Sequence, residues 1–154
     1  LKELQPAYDA HDEAMKLASE GKFEAALDQV NKAIKLEPRE AMFFALRGRI
    51  YRGMEQPEKA KADFDKAVSL YPEMFQYQLY SGLNELELNN LGKAKSHLEK
   101  ANQVVPTSIA YLRLGDIARQ QGQRSEAVAY YSTAAEAGGD VGAEAQRKLA
   151  ELSN

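Results

Sequence analysis

The sequence predicts an all-α solenoid of antiparallel helix pairs, on three observations. Pro38, Pro72 and Pro106 recur at intervals of 34 residues. Ala26, Ala60 and Ala94 keep the same interval, as do Ala33, Ala67 and Ala101. Between these markers, apolar residues recur at helical spacing and are broken by glycine or proline. A fixed period of that size marks a stack of identical helical units.

The elements follow in order. Residues 1–6 read as the end of a preceding helix or a linker, because Leu4-Gln5-Pro6 resembles Leu36-Glu37-Pro38. On this reading the chain starts inside or just after an earlier helix of a longer protein. The first unit is expected over 7–40, with Ala10, Ala14 and Leu17 on one face, Gly21 at the turn, and a second helix opened by Phe23. Glycine suits that turn because it takes the left-handed conformation without steric cost. The second unit, 41–74, places Phe44, Gly48 and Tyr51 on its first helix. Its second helix starts at Pro57, where a first turn tolerates proline.

The third unit, 75–107, keeps Gly82 but puts Gln78 and Glu85 where Phe44 and Tyr51 stood. The fourth, 108–139, enters one residue early with Tyr111, Leu114, Gly115 and Ala118, and Gly138-Gly139 replaces the proline. A final helix, 140–154, carries Val141, Ala145, Leu149 and Leu152 on one stripe and charges on the other, as a capping helix requires. The small residues allow close helix contact, in the pairs Gly48/Ala60, Gly82/Ala94 and Gly115/Ala127. Tyr51, Phe64 and Tyr131 are expected between neighbouring pairs. Each aromatic buries about 150–250 Å², worth at most roughly 4–6 kcal/mol.

Composition narrows the function. Net charge is −3 with a pI near 5.5, unlike the basic face of a nucleic-acid binder. No apolar run nears the roughly 20 residues of a membrane span, so insertion is not expected. The chain has no cysteine, which removes disulfides, thiolate metal sites and cysteine nucleophiles. His11 and His97 are the two histidines, and they fall on a first and a second helix two units apart. His11, Asp12 and Glu13 are consecutive and therefore splay around a helix. There is no HExxH, phosphate-cradling glycine loop or nucleophile motif. No enzyme activity, metal or cofactor is expected of this chain.

The recurring Gly48–Tyr51 and Leu114-Gly115 pairs, the second-helix alanines Ala26, Ala60, Ala94 and Ala127, and the three prolines together resemble the tetratricopeptide repeat (TPR) over about residues 7–139. The resemblance implies a right-handed superhelix whose first helices line a concave groove that holds a peptide or a partner's helix. By position, the implied groove residues are Tyr8, His11, Met15, Met42, Arg49, Arg52, Leu79, Tyr80, Leu83, Leu86, Leu112, Asp116 and Arg119. Leu79, Leu83 and Leu86 share one helix face. They form an apolar groove patch, or core if that helix is rotated, as Glu85 in a core position suggests. Arg49, Arg52 and Arg119 could grip a carboxylate in two-pronged fashion or form a solvated charged face.

Co-chaperones of this family hold the acidic tail of heat-shock chaperones with a lysine, asparagine and arginine clamp. The matching positions are His11, Met15, Leu46, Gln76 and Tyr80. One unit later they are Ala45, Arg49, Tyr80, Ile109 and Arg113. Neither set makes the clamp, so that partner is not expected. The leading expectation is a non-catalytic module binding a protein or peptide segment. The Pro106–Tyr111 segment and the glycine-linked end helix also resemble the TPR tails of bacterial zinc metalloproteases. That resemblance implies a substrate- or partner-docking tail, periplasmic in many such enzymes. A third expectation is a scaffold that self-associates through an uncapped N-terminal end.

Overall fold

A computed structural model describes residues 4–153. Leu1–Glu3 and Asn154, which the sequence reading placed in the leading segment and the capping helix, lie outside the described residues. Nine helices run through the described part: α1 (Gln5–Ser19), α2 (Phe23–Leu36), α3 (Ala41–Gly53), α4 (Pro57–Leu70), α5 (Phe75–Glu87), α6 (Leu91–Val104), α7 (Ser108–Gln120), α8 (Arg124–Ala135) and α9 (Gly139–Ser153). They pair as α1/α2, α3/α4, α5/α6 and α7/α8, each pair stacks on the next, and α9 packs on α8 and α7. The fold is an all-α superhelical solenoid. No helix of the described residues is long and apolar enough to cross a membrane.

Gln5 and Pro6 depart from the sequence reading. They form the first turn of α1, where proline lacks only an N–H that has no intrahelical partner. The turn inside each pair is the same device four times. Gly21, Glu55, Asn89 and Gly122 all take positive φ, at 77°, 60°, 61° and 76°. The next residues, Lys22, Gln56, Asn90 and Gln123, donate N–H back to the carbonyls of Leu17, Tyr51, Glu85 and Ala118 at 2.8–2.9 Å. This closes the carbonyl end of each first helix. Between pairs, proline stops the chain one residue earlier than itself. Glu37, Tyr71 and Val105 have φ near −140° and ψ of 79–105°, outside the helical region that the following proline ring disfavours.

The core repeats with equal regularity. Ala26/Val30/Ala33, Ala60/Phe64/Ala67, Ala94/Leu98/Ala101 and Ala127/Tyr131/Ala134 are all fully buried. The close approach within a pair differs from the sequence expectation. The first-helix glycine meets the large middle residue of its own second helix, not the alanine. A Cβ added at Gly48 would lie 2.6 Å from the Phe64 ring, at Gly115 2.6 Å from the Tyr131 ring, and at Gly82 2.8 Å from Leu98. Phe64 and Tyr131 therefore sit inside their pairs, over the glycines.

Two substitutions test this geometry by chemical denaturation. Gly48→Ala drives a methyl into the Phe64 ring and is expected to destabilise the chain by about 1–3 kcal/mol. Glu55→Gly relieves a left-handed backbone that costs roughly 1–2 kcal/mol in other residues. After glycine's own entropic cost it should be neutral to about 1 kcal/mol more stable.

Candidate functional site

The first helices bring side chains from successive units onto one wall. His11 and Met15 of α1, Met42 and Arg49 of α3, and Tyr80 of α5 border one hollow of about 260 Å³. Gln76 and Tyr77 of α5 and Met74, just before it, complete the edge. An adjoining hollow of about 410 Å³ shares Met15, Leu46 and Arg49 and runs down to Phe23 and Ile50. Met15, Met42 and Met74 are exposed large apolar side chains, at 44, 37 and 41%, and all three meet here. His11 is buried with its ring 5.3 Å from that of Phe43. Tyr8 stands beside the hollow, packed edge-on to Phe43, and its hydroxyl donates to Glu40 at 2.8 Å.

A third hollow lies one unit on, bordered by Arg52, Leu83, Leu86, Glu87, Arg113 and Asp116. α5 is not rotated. Gly82 keeps its place against Leu98, and Gln78 and Glu85 occupy the core positions the period assigns them, at 4 and 1% exposure. Leu79, Leu83 and Leu86 accordingly lie half-buried against the cluster of Leu98 in their own pair and Leu114 and Ile117 in the next, and Leu83 and Leu86 also face that hollow.

Leu112 requires a correction. It is fully buried in the cluster with Tyr131 and Ala145, because α9 covers it, so it belongs to the core and offers nothing to a partner. The grouping of Arg49, Arg52 and Arg119 also changes. Arg52 pairs with Glu87 at 2.6 Å and Arg119 with Glu151 at 2.6 Å, each reaching the next first helix. Asp116 takes hydrogen bonds from Tyr131 and Lys148 at 2.6 Å, and its other oxygen takes one from Arg113 at 3.0 Å. Burial pushes the Asp116 carboxyl up, but Lys148, Tyr131 and Arg113 outweigh it and hold the group below the usual carboxylate range. Arg49 instead lies 5.1 Å from the Tyr80 ring centroid, a cation–π contact. Sequence reasoning left out Met74 and Tyr77. Met74 lies just outside a helix, and Tyr77 belongs to a face judged by its core partners.

Three polar residues of α5, Gln78, Asn84 and Glu85, each bond across the junction with the second pair, while Asn84 Oδ1 and Gln76 Oε1 are buried without partners among the described residues. Glu85 accepts from Lys61 at 2.6 Å and from Asn90 at 2.7 Å. Asn84 and Gln78 donate to the carbonyls of Pro57 and Pro72 at 2.9 and 2.8 Å. Gln78 Oε1, left as an acceptor, meets His97 Nδ1 at 2.7 Å, which sets the Nδ1–H form of the ring. Burial, then nearby Lys100, lowers the His97 pKa.

The tetratricopeptide-repeat family model matches residues 43–74 and 109–137, the second and fourth units. Among solved structures, PilF of Pseudomonas aeruginosa superposes with a TM-score of 0.86 at 16% identity, covering 99% of this chain and 69% of that one. The first TPR of Spaghetti (RPAP3), bound to the HSP90 peptide SRMEEVD, matches with a TM-score of 0.74 at 22% identity over 77% of this chain and 94% of that one. YrrB, described as a TPR protein with an unusual peptide-binding site, matches with a TM-score of 0.74 at 23% identity over 82% of this chain and 66% of that one. These similarities establish a shared fold.

The α5 junction yields two measurable outcomes. Lys61→Met leaves the Glu85 carboxylate buried without its cation, which should destabilise by about 3–5 kcal/mol. Glu85→Leu restores an apolar residue at a core position while Lys61, at the surface, returns to water. It should be neutral or stabilising, by up to about 4 kcal/mol. For His97, the folded pKa lies below the unfolded value of 6.5, so the unfolded chain binds more protons in mild acid. Its contribution is therefore complete above about pH 6.5 and lost as pH falls through the folded pKa. Denaturation midpoints measured from pH 7 to 5 should decline, and His97→Gln should flatten that slope.

Proposed function

We propose that this tetratricopeptide-repeat protein is a non-catalytic adaptor that holds a segment of a partner polypeptide against its inner wall, at the hollow between α1, α3 and α5. One observation carries the reading: Met15, Met42, Met74 and Tyr80, supplied by three successive units, converge on a single concavity. Exposed methionines scattered singly need no explanation, but three on one concave surface do. Thioether side chains are unbranched and polarisable, so they remould around different apolar groups. Arg49 adds a cation, and Tyr80 a flat face with low conformational entropy to lose. The shared fold with an RPAP3 repeat bound to a peptide, and with YrrB, supports a polypeptide as the guest.

The reading is tested with peptides selected from a displayed decapeptide library on the full chain. Met42→Glu puts a charge into the hollow and should weaken binding of a selected peptide by about tenfold or more, with the unfolding midpoint unchanged. Val104→Glu, on an exposed position of α6, should leave affinity as it was. Equal affinity for the Met42→Glu and unaltered chains would place the guest elsewhere.

A further inference from the structure

The geometry points to a guest segment that carries an acidic side chain beside its apolar anchor, the carboxylate meeting Arg49 and the adjoining peptide backbone meeting Gln76. This rests on the proposed function and narrows it to a class of sequence.

The argument begins with charge. Arg52, Arg113 and Arg119 are each answered by a carboxylate of the following first helix or its own: Glu87, Asp116 with Glu144, and Glu151. Glu87, Glu144 and Glu151 stand 31–35 residues ahead of the arginine that reaches them. The same reach from Arg49 covers Tyr80, Ser81, Gly82, Leu83 and Asn84, with no acid among them. Tyr80 takes the place and gives the cation a ring face instead. A ring face engages the flat side of a guanidinium and leaves its edge N–H donors for another acceptor. Arg49 is exposed, and no ion pair engages it among the described residues. Neither of the two hollows it borders has an acidic side chain in its lining. The trough is thus apolar with one fixed positive charge, which is complementary to an apolar group next to an anion.

The second observation concerns what else the guest must supply. Gln76 borders the same hollow, and its Oε1 is buried with no hydrogen-bond partner among the described residues. An acceptor in that position costs free energy until a donor meets it. The last torsion of a glutamine is soft, so a small rotation turns the amide toward the hollow. A peptide provides an N–H for Oε1 and a C=O for Nε2, whereas a fatty acid or other simple apolar anion provides no N–H. Arg49 and Gln76 together therefore favour a polypeptide with an Asp or Glu next to Leu, Met or Phe.

The test uses the full chain and an amidated peptide from the displayed library, so that the only acid is a side chain. Its Glu→Gln and Glu→Lys twins are titrated alongside by calorimetry. The acidic peptide should bind about tenfold tighter than its Gln twin, and the advantage should shrink with added salt. Arg49→Gln should abolish the preference while retaining the affinity of the Gln twin, and Arg49→Glu should shift the preference to the Lys twin. Gln76→Ala should weaken all three peptides alike. An acidic preference that survives Arg49→Gln, or selection of neutral and basic peptides, overturns this inference. The proposed function still stands in that case if Met42→Glu abolishes their binding. Failure to select any peptide, or preference only for free fatty acid over peptide, overturns both.

Discussion

The structure depends on one close approach repeated along the chain. In the last three pairs a first-helix glycine lies under a large side chain sixteen residues later: Gly48 under Phe64, Gly82 under Leu98, Gly115 under Tyr131. In the first pair the same two positions are Ala14 and Val30, both fully buried in one cluster. A smaller residue below permits a larger one above, so the pair angle is set by a volume sum. The turn is then obliged to be the same each time, whatever residue occupies it. Glu55 and Asn89 accept positive φ because the helices they join admit no other route. Tertiary packing here overrides local preference.

The periodic parts of this design were legible in sequence. The prolines and second-helix alanines at their fixed interval, with Gly48, Gly82 and Gly115 at 34 and then 33 residues, gave the pairs and their order. What escaped was pairwise and distant. Nothing in a helical period says that Gly48 faces Phe64 and not Ala60, since both lie on the inner stripe of α4. Leu112 looked like a groove residue by its position in the unit, yet α9 seals it, a contact thirty residues away along the chain. The arginines looked alike until the carboxylates of the next unit were placed against Arg52 and Arg119 and not against Arg49. Met74 was missed because it precedes its helix, and the inner wall was read from helices alone.

The third pair combines two roles. Its first helix contributes Gln76, Tyr77 and Tyr80 to the hollow and also buries Gln78, Asn84 and Glu85, which bond to the preceding pair. Apolar packing at that junction is a small cluster of Ala41, Ala45 and Ala67 with Phe44, Leu70 and Tyr77, set between two larger ones. One cluster spans α1, α2 and α3, and a separate one spans α5, α6 and α7. The bond Lys61 donates to Glu85, and those the carbonyls of Pro57 and Pro72 accept from Asn84 and Gln78, are directional, as apolar contacts are not. Such a junction fixes register more than it adds stability. The helix that helps form the hollow is thereby held to the pair that forms its other side.

The methionine-lined trough has a chemical consequence of its own. In a chain without cysteine, thioether sulfur is the natural first target of peroxide. Oxidation would turn an adaptable apolar lining into a set of polar sulfoxides. Met15, Met42 and Met74 are exposed while Met54 packs against the core, so the lesion would fall on the proposed binding surface more than on the core. Reductases that restore methionine would then restore the surface without the chain having to be remade.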